Sequence, residues 1–137
     1  MALTHLLDTS IISRLGNAQV RAAIDPLTQD GRLGRAGITD LEVVYGSRNA
    51  REWDQDMDDL SVFELVETTA DHIRRARQVQ RLLASRSQRG RKVPDLLIAA
   101  AAEQRHLILL HYDNDFDLIA AMTGQPCQWV APPGSID

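Results

Sequence analysis

Cysteine is almost absent: Cys127 is the only one in 137 residues. A lone thiol excludes an internal disulfide framework and a multi-cysteine metal site, and it fits a reducing compartment. Aromatic residues are scarce at 4%, leaving little surface on which nucleic-acid bases could stack. Long apolar runs are missing. The longest, Leu96 to Ala102, has seven residues, against about 20 needed to span a bilayer. The opening Met1-Ala-Leu-Thr-His-Leu-Leu-Asp8 carries neither the positive n-region nor the small-residue cleavage site of a secretory signal. A cytoplasmic protein with no membrane partner is the expectation. Positive charge is not in excess either: 15 Lys+Arg against 19 Asp+Glu give a net −4. That excludes a polycation gripping nucleic acid by bulk charge. There is no internal repeat and no low-complexity tract.

What is present is the balance of an ordinary globular protein, 44% apolar and 25% charged. The length predicts one domain over 1–137. Charge is segregated: Glu52 to Asp71 holds eight acidic and no basic residues, and Arg74 to Lys92 holds eight basic and no acidic ones. Leu3–Leu7 reads as a buried strand, followed by a helix to Leu15 capped by Thr9 or Ser10. Further helices are expected over Ala18–Asp30, Thr39–Arg48, Glu52–Leu60, Ile73–Leu83, Pro94–Arg105 and Phe116–Ala121. Strands are expected over Arg35–Ile38, Val62–Val66 and Leu107–Leu110, with an edge strand near Cys127–Ala131. Strands alternating with helices predict an α/β domain with a mainly parallel sheet of about four or five strands.

Acidic residues recur at the ends of apolar elements: Asp8 after the first strand, Glu42 and Asp95 in first turns of helices, and Asp113, Asp115 and Asp117 after Leu107–Leu110. In open α/β sheets, ligand clefts form outside the carboxyl ends of the strands. Clustered carboxylates raise one another's pKa and titrate as a coupled set. A divalent cation removes that repulsion, and oxygen donors suit Mg²⁺, whereas no Cys/His set is present for zinc. Each position also has a plainer reading. Thr39-x-x-Glu42 has the spacing of a capping box. Asp95 complements a helix dipole, Asp8 fits turn chemistry, and Asp113-Asn-Asp115 fits a solvated loop with an N-cap. The conjunction favours a site.

Leu6-Leu7-Asp8-Thr9-Ser10, Ile38-Thr39-Asp40-Leu41-Glu42 with Tyr45-Gly46, Pro94-Asp95-Leu96-Leu97-Ile98-Ala99-Ala100, and His111-Tyr112-Asp113-Asn114-Asp115-Phe116 together resemble the PIN-domain nucleases. More narrowly they resemble VapC-type toxins of bacterial toxin–antitoxin pairs. The resemblance spans essentially the whole chain in order and spacing. It implies a three-layer α/β/α sandwich and an Mg²⁺-dependent endoribonuclease, with Mn²⁺ as a substitute. It also implies a homodimer and inhibition by a small VapB-type antitoxin, giving a heterotetramer or larger assembly. By motif position the catalytic residues would be Asp8, Glu42, Asp95 and Asp113, and the metal would be held by Asp8, Asp95, Asp113 and Asp115. The family often carries Ser or Thr two positions before its last motif aspartate, where this chain has His111. That departure transfers the supporting hydrogen bond at Asp113 to an imidazole or removes it.

An acidic cleft repels RNA, so phosphate contacts must come from elsewhere. The basic tract Arg74, Arg75, Arg77, Arg81, Arg86, Arg89, Arg91 and Lys92 is the candidate source, with Arg74, Arg77 and Arg81 put first. A solvated helix face is the plainer account of such a run. Few aromatics favour structured RNA, transfer or ribosomal, read by shape and backbone. Trp53 and Trp129 are candidates for a protein interface, with core packing the commoner use. His5 reads as a core histidine, and His72 and His106 as surface or capping residues. The alternative from another class is a non-catalytic interaction module whose acidic cleft binds an arginine of an antitoxin or partner. A phosphatase or response-regulator reading ranks lower, because the first strand ends in Asp8 alone and the only lysine, Lys92, does not end a late strand.

Overall fold

The structure is a computed structural model that describes residues 2–88 and 92–136; Arg89 and Arg91 of the basic tract lie outside them. In chain order the elements are β1 (His5–Leu7), α1 (Thr9–Ile12), α2 (Ala18–Gln29), β2 (Leu33–Ala36), α3 (Gly37–Val44), α4 (Ala50–Leu60), β3 (Glu64–Val66), α5 (Ala70–Ser85), α6 (Val93–Gln104), β4 (Ile108–His111), α7 (Asp115–Thr123) and β5 (Cys127–Trp129). None of these helices is long and apolar enough to cross a membrane.

The five strands pair only in parallel, in the spatial order β3-β2-β1-β4-β5. The chain moves outward from β1 through β2 to β3, then returns to lay β4 on the other side of β1. That reversal creates a topological switch point between β1 and β4, where clefts of open parallel sheets lie. Register carries specific residues to it. Leu7 pairs with Leu110, and the Asp8 N–H donates to the Leu110 carbonyl at 2.8 Å. The segments Asp8–Ser10 and His111–Asp113 therefore leave the sheet side by side.

Strand alternation builds the layers. Leu6 and Leu109 face a core with Ala76, Val79 and Leu83 of α5, Ile98 and Ala99 of α6, and Phe116 and Ile119 of α7. Leu7 and Leu110 face the opposite core with Ile11 of α1, Val20 and Ile24 of α2, and Phe63. The result is the α/β/α sandwich expected from the alternating pattern. Ala99 to Ala102 of α6 are all buried, so small side chains let that helix lie deep in its layer.

Boundaries differ from the sequence reading in informative ways. β2 begins at Leu33, two residues before the expected Arg35, because Gly34 fits a narrow gap. A Cβ there would lie 2.9 Å from Leu3 Cδ1 and 3.2 Å from the Glu64 carbonyl oxygen. α3 accordingly starts at Gly37 behind Ala36, with no side-chain cap. The expected strands at Leu3–Leu7, Val62–Val66 and Cys127–Ala131 are trimmed to His5–Leu7, Glu64–Val66 and Cys127–Trp129, which are the stretches with a paired neighbour. Ile73, expected to pack, is 42% exposed.

A buried ion pair fixes α3 to the sheet. Arg35 Nε donates to Asp40 Oδ1 at 2.6 Å and its Nη2 to Asp40 Oδ2 at 3.2 Å, while Nη1 donates to the Phe63 carbonyl. Arg35 is 7% exposed. A bidentate fork of this kind sets orientation as well as attraction, and α3 carries Glu42.

Candidate active site

Asp8 follows β1 directly and is the N-cap of α1, so its β-region backbone turns its side chain back over the first amides of that helix. Its Oδ2 accepts from the Ser10 N–H at 3.0 Å. Neither Thr9 nor Ser10 is the cap, contrary to the expectation. Asp8 is buried, and its Oδ1 has no partner among the described residues. Burial pushes its carboxyl above the usual range, hydrogen bonds from Ser10 pull it back, and the charge of Glu42 pushes it up again. The Ser10 hydroxyl accepts from the Tyr112 N–H at 3.0 Å, stitching the segment after β4 to the one after β1.

Asp95 lies in the first turn of α6, behind Pro94 and the N-cap residue Lys92. Its side chain is buried, and Oδ2 has no hydrogen-bond partner among the described residues. Burial first, then the charges of Asp8 and Asp113, raise its pKa from 3.8 to about 7, while Lys92 pulls the other way. Asp113 leaves β4 two residues after His111. Its N–H donates to His111 Nδ1 at 3.2 Å, and its Oδ1 accepts from the Asp115 N–H at 2.9 Å. The imidazole thus takes over the supporting hydrogen bond. His111 is fully buried, with its ring 5.0 Å from that of Phe116 and 4.9 Å from that of Trp129. Burial holds its pKa down. An accepting Nδ1 places the ring proton on Nε2.

One carboxylate oxygen from each of Asp95, Asp113 and Asp115 falls within 4.8 Å of the others. Asp8, Asp95, Asp113 and Glu42 line one cavity of about 320 Å³. Asp8 borders the triad without belonging to its tightest set. Glu42 stands exposed on α3, where Thr9 Oγ1 donates to its Oε1 at 2.7 Å. Thr9 Oγ1 also shares a 2.9 Å hydrogen bond with the hydroxyl of buried Thr39. Thr39 is the third residue of α3 and not its cap, so the capping-box reading of Glu42 does not hold.

The donor set is oxygen only, and two buried carboxylate oxygens in it lack partners among the described residues. Leaving such atoms unsatisfied is costly, and a hard divalent cation satisfies them. The residues therefore fit a metal ion. Arg74, Arg77 and Arg81 lie exposed along one face of α5 at helical spacing, and none of the three lines the carboxylate cavity. Arg74 pairs with Asp71. Arg77 lines a groove of about 240 Å³ with Ile73 and with Val93 and Leu97 of α6. Arg75, on the neighbouring face, is tied to Glu103 at 2.6 Å.

The minor expectations resolve individually. His72 and Thr69 form a reciprocal cap at the start of α5, and His106 is exposed. His5 is half-buried. Trp129 packs edge-on to Tyr112 and donates from Nε1 to Asp117 Oδ1 at 3.1 Å. Trp53 is 46% exposed.

Sequence reading missed three contributors: Thr9 as the brace of Glu42, Ser10 as the stitch to Tyr112, and Lys92 on the cleft wall. Thr9 and Ser10 read as helix caps, and Lys92 stood only among the phosphate-contact candidates of the basic tract; its place three residues before Asp95 is the mark that points to the cleft wall.

This parallel sheet, with its carboxylates gathered at the switch point, defines an acidic-cleft α/β/α domain. A family model described as PIN domain matches residues 5–122, and the chain belongs to the PIN-domain family, among the VapC proteins. It is 62% identical to ribonuclease VapC51 of Mycobacterium tuberculosis over 137 residues, covering 100% of both chains. It is 41% identical to ribonuclease VapC18 of the same organism, covering 98% of this chain and 100% of that one. Among solved structures, a DNA-bound VapBC from Salmonella typhimurium superimposes with a TM-score of 0.76 at 20% identity, covering 94% of this chain and 99% of the other. VapBC-5 from Mycobacterium tuberculosis gives 0.61 at 26% identity, covering 92% and 96%.

Proposed function

We propose that the chain is the endoribonuclease toxin of a VapBC-type pair, one PIN domain over 1–137. In this reading it hydrolyses RNA phosphodiesters with Mg²⁺, or Mn²⁺ in its place, held by Asp95, Asp113 and Asp115 with Asp8 beside them. The observation that carries this reading is the meeting of four carboxylates at the switch point, two of them with buried, unpartnered oxygens. A pocket built only to bind a partner's arginine would need two oxygens in one plane, not a converging set from three segments of the chain.

When bound, such a cation neutralises charge on the scissile phosphate and makes hydroxide available near neutral pH. The chain supplies the rest. Ser10 fixes Asp8 Oδ2, which leaves Oδ1 for the cleft. The His111 imidazole and the Asp115 amide hold the Asp113 turn. Glu42, braced through Oε1 by Thr9, orients the attacking water and takes its proton at Oε2. In-line displacement breaks the P–O3′ bond and leaves 5′-phosphate and 3′-hydroxyl ends, without using the RNA 2′-hydroxyl. Arg74, Arg77 and Arg81 supply phosphate contacts outside the cleft, and the target is a structured transfer or ribosomal RNA. The likeness to VapBC pairs supports a VapB-type antitoxin as partner and a homodimer within a heterotetramer or larger complex.

Cleavage of total RNA by purified protein tests this reading, with Mg²⁺ or Mn²⁺, with EDTA, and with Asp8→Asn. Asparagine caps a helix as well as aspartate does, so the variant keeps its fold. Discrete fragments with 5′-phosphate ends, lost in EDTA and in the variant, are expected. Undiminished cleavage by Asp8→Asn, or cyclic-phosphate ends, overturns the mechanism. A folded chain that takes up no divalent ion by calorimetry returns the cleft to a binding role.

A further inference from the structure

Lys92 is the only lysine in the sequence, and it stands at the N-cap of α6, three residues before Asp95. Its Nζ lies 3.7 Å from Asp113 Oδ2, with the side chain 65% exposed. It lines the same cavity as Asp8, Glu42 and Asp95. The charges of Asp113, then Asp95, then Asp115 stabilise its ammonium form. At 3.7 Å the contact is an ion pair and not a close hydrogen bond. A lysine head is a compact charge on a flexible stem, so it can leave Asp113 with no backbone movement. Arg14, another cation on this wall, donates to the Ser10 carbonyl at 2.7 Å and lies 4.8 Å over the Tyr112 ring.

We propose that Lys92 is a phosphate-contacting residue of the cleft: its ammonium is the counter-ion of Asp113 when no divalent cation is bound, and passes to a non-bridging oxygen of the RNA phosphodiester when one is. The inference rests on the metal-dependent nuclease reading above. Its logic is charge exchange. A divalent ion beside Asp95, Asp113 and Asp115 neutralises the group with which Lys92 pairs, and it repels the ammonium. The phosphate that enters the cleft is then an anion within reach of the ammonium, whose stem already anchors it at the cleft's edge. Lys92 thus weakens metal binding and strengthens RNA binding. A residue that merely supported the fold would move both in the same direction.

The experiment measures both quantities on the full chain for wild type, Lys92→Gln and Lys92→Arg. Mn²⁺ affinity comes from calorimetry. RNA affinity comes from the anisotropy of a labelled mixed-sequence RNA of about 20 nucleotides in saturating Mn²⁺, over a series of salt concentrations, with all three chains carrying Glu42→Gln so that the RNA stays intact. Lys92→Gln should bind Mn²⁺ roughly five- to tenfold more tightly. It should bind RNA more weakly, with a log–log salt slope shallower by about 0.7. Lys92→Arg, keeping the charge, should stay close to wild type in both. Unchanged or weaker Mn²⁺ binding by Lys92→Gln, or an unchanged RNA salt slope, overturns the proposal while leaving the nuclease reading in place. A wild-type chain that takes up no Mn²⁺ overturns both.

Discussion

Replacing Asp95 by asparagine should make the metal-free protein more stable while destroying its ability to use a metal. Folding raises the Asp95 pKa from 3.8 to about 7, through burial and then the charges of Asp8 and Asp113. The folded chain therefore holds this proton more tightly than the unfolded one. Stability from this group is complete below about pH 4 and is lost as pH climbs to about 7, because the unfolded carboxyl ionises first. At about 1.4 kcal/mol per pH unit, the interval corresponds to about 4 kcal/mol. The cleft is open to solvent on one side, and screening reduces this to about 2 kcal/mol. Asparagine keeps the shape and carries no charge to bury. In EDTA at pH 8, Asp95→Asn should melt roughly 5–10 °C above wild type. That advantage should shrink by more than half at pH 5 and vanish near pH 4. Added Mn²⁺ should raise the wild-type melting temperature by mass action and leave the variant nearly unmoved. Thermal melts followed by circular dichroism measure all of this. A variant no more stable than wild type at pH 8, or an advantage that is the same at pH 5, refutes the claim that burial and neighbouring charges penalise an ionised Asp95 in the metal-free cleft.

Other residues give independent tests. Asp40→Ala leaves the buried Arg35 guanidinium without its carboxylate and should cost about 3–5 kcal/mol in urea unfolding; a loss below about 1 kcal/mol would mean that the pair is not what holds α3. Gly34→Ala places a methyl 2.9 Å from Leu3 Cδ1 and 3.2 Å from the Glu64 carbonyl oxygen. It should destabilise by about 1–3 kcal/mol, with β3 the first strand to lose hydrogen-exchange protection. Thr9→Val removes both the donor to Glu42 Oε1 and the partner of the buried Thr39 hydroxyl, and should slow RNA cleavage by roughly 10–100-fold while costing about 1–3 kcal/mol of stability; Thr9→Ser, which keeps the hydroxyl, should preserve both. An undiminished rate would show that Glu42 needs no brace.

The layer architecture was legible because it rests on periodicity. Ala76, Val79 and Leu83 recur at helical spacing, and Leu6/Leu7 and Leu109/Leu110 send successive side chains to opposite cores. The set of candidate carboxylates was legible because each ends a strand or opens a helix. What the sequence concealed was long-range geometry. Nothing local distinguishes a Thr39 that caps a helix from a Thr39 buried in α3 and bonded to Thr9, thirty positions away. The second strand was expected at Arg35–Ile38 but runs Leu33–Ala36, since what admits Gly34 to it is the close approach of Leu3 and Glu64 across the sheet. The role of His111 needed coordinates for the same reason. Its ring position follows from Phe116 and Trp129, and only that position brings Nδ1 to the Asp113 amide.

Capping and chemistry are one arrangement here. Asp8 caps α1, Asp95 sits in the first turn of α6, and Asp113 accepts from the amide of Asp115, the first residue of α7. A carboxylate at a helix N-terminus gains about 0.3–1 kcal/mol from the aligned peptide dipoles, so each acid is favoured where it stands and the local sequence needs no further reason to place it there. The sheet topology adds the cost, because it brings these favourable starts to one switch point where their charges repel. Three small gains from the helix ends cannot cancel the burial and the repulsion that together lift Asp95 to about 7. Lys92, at 3.7 Å from Asp113 and mostly in solvent, offsets only a further part. The remaining cost of burying these charges side by side is what a divalent cation would offset, so the instability of the metal-free cleft and its affinity for the ion share one electrostatic origin. A substitution that relieves the first must weaken the second.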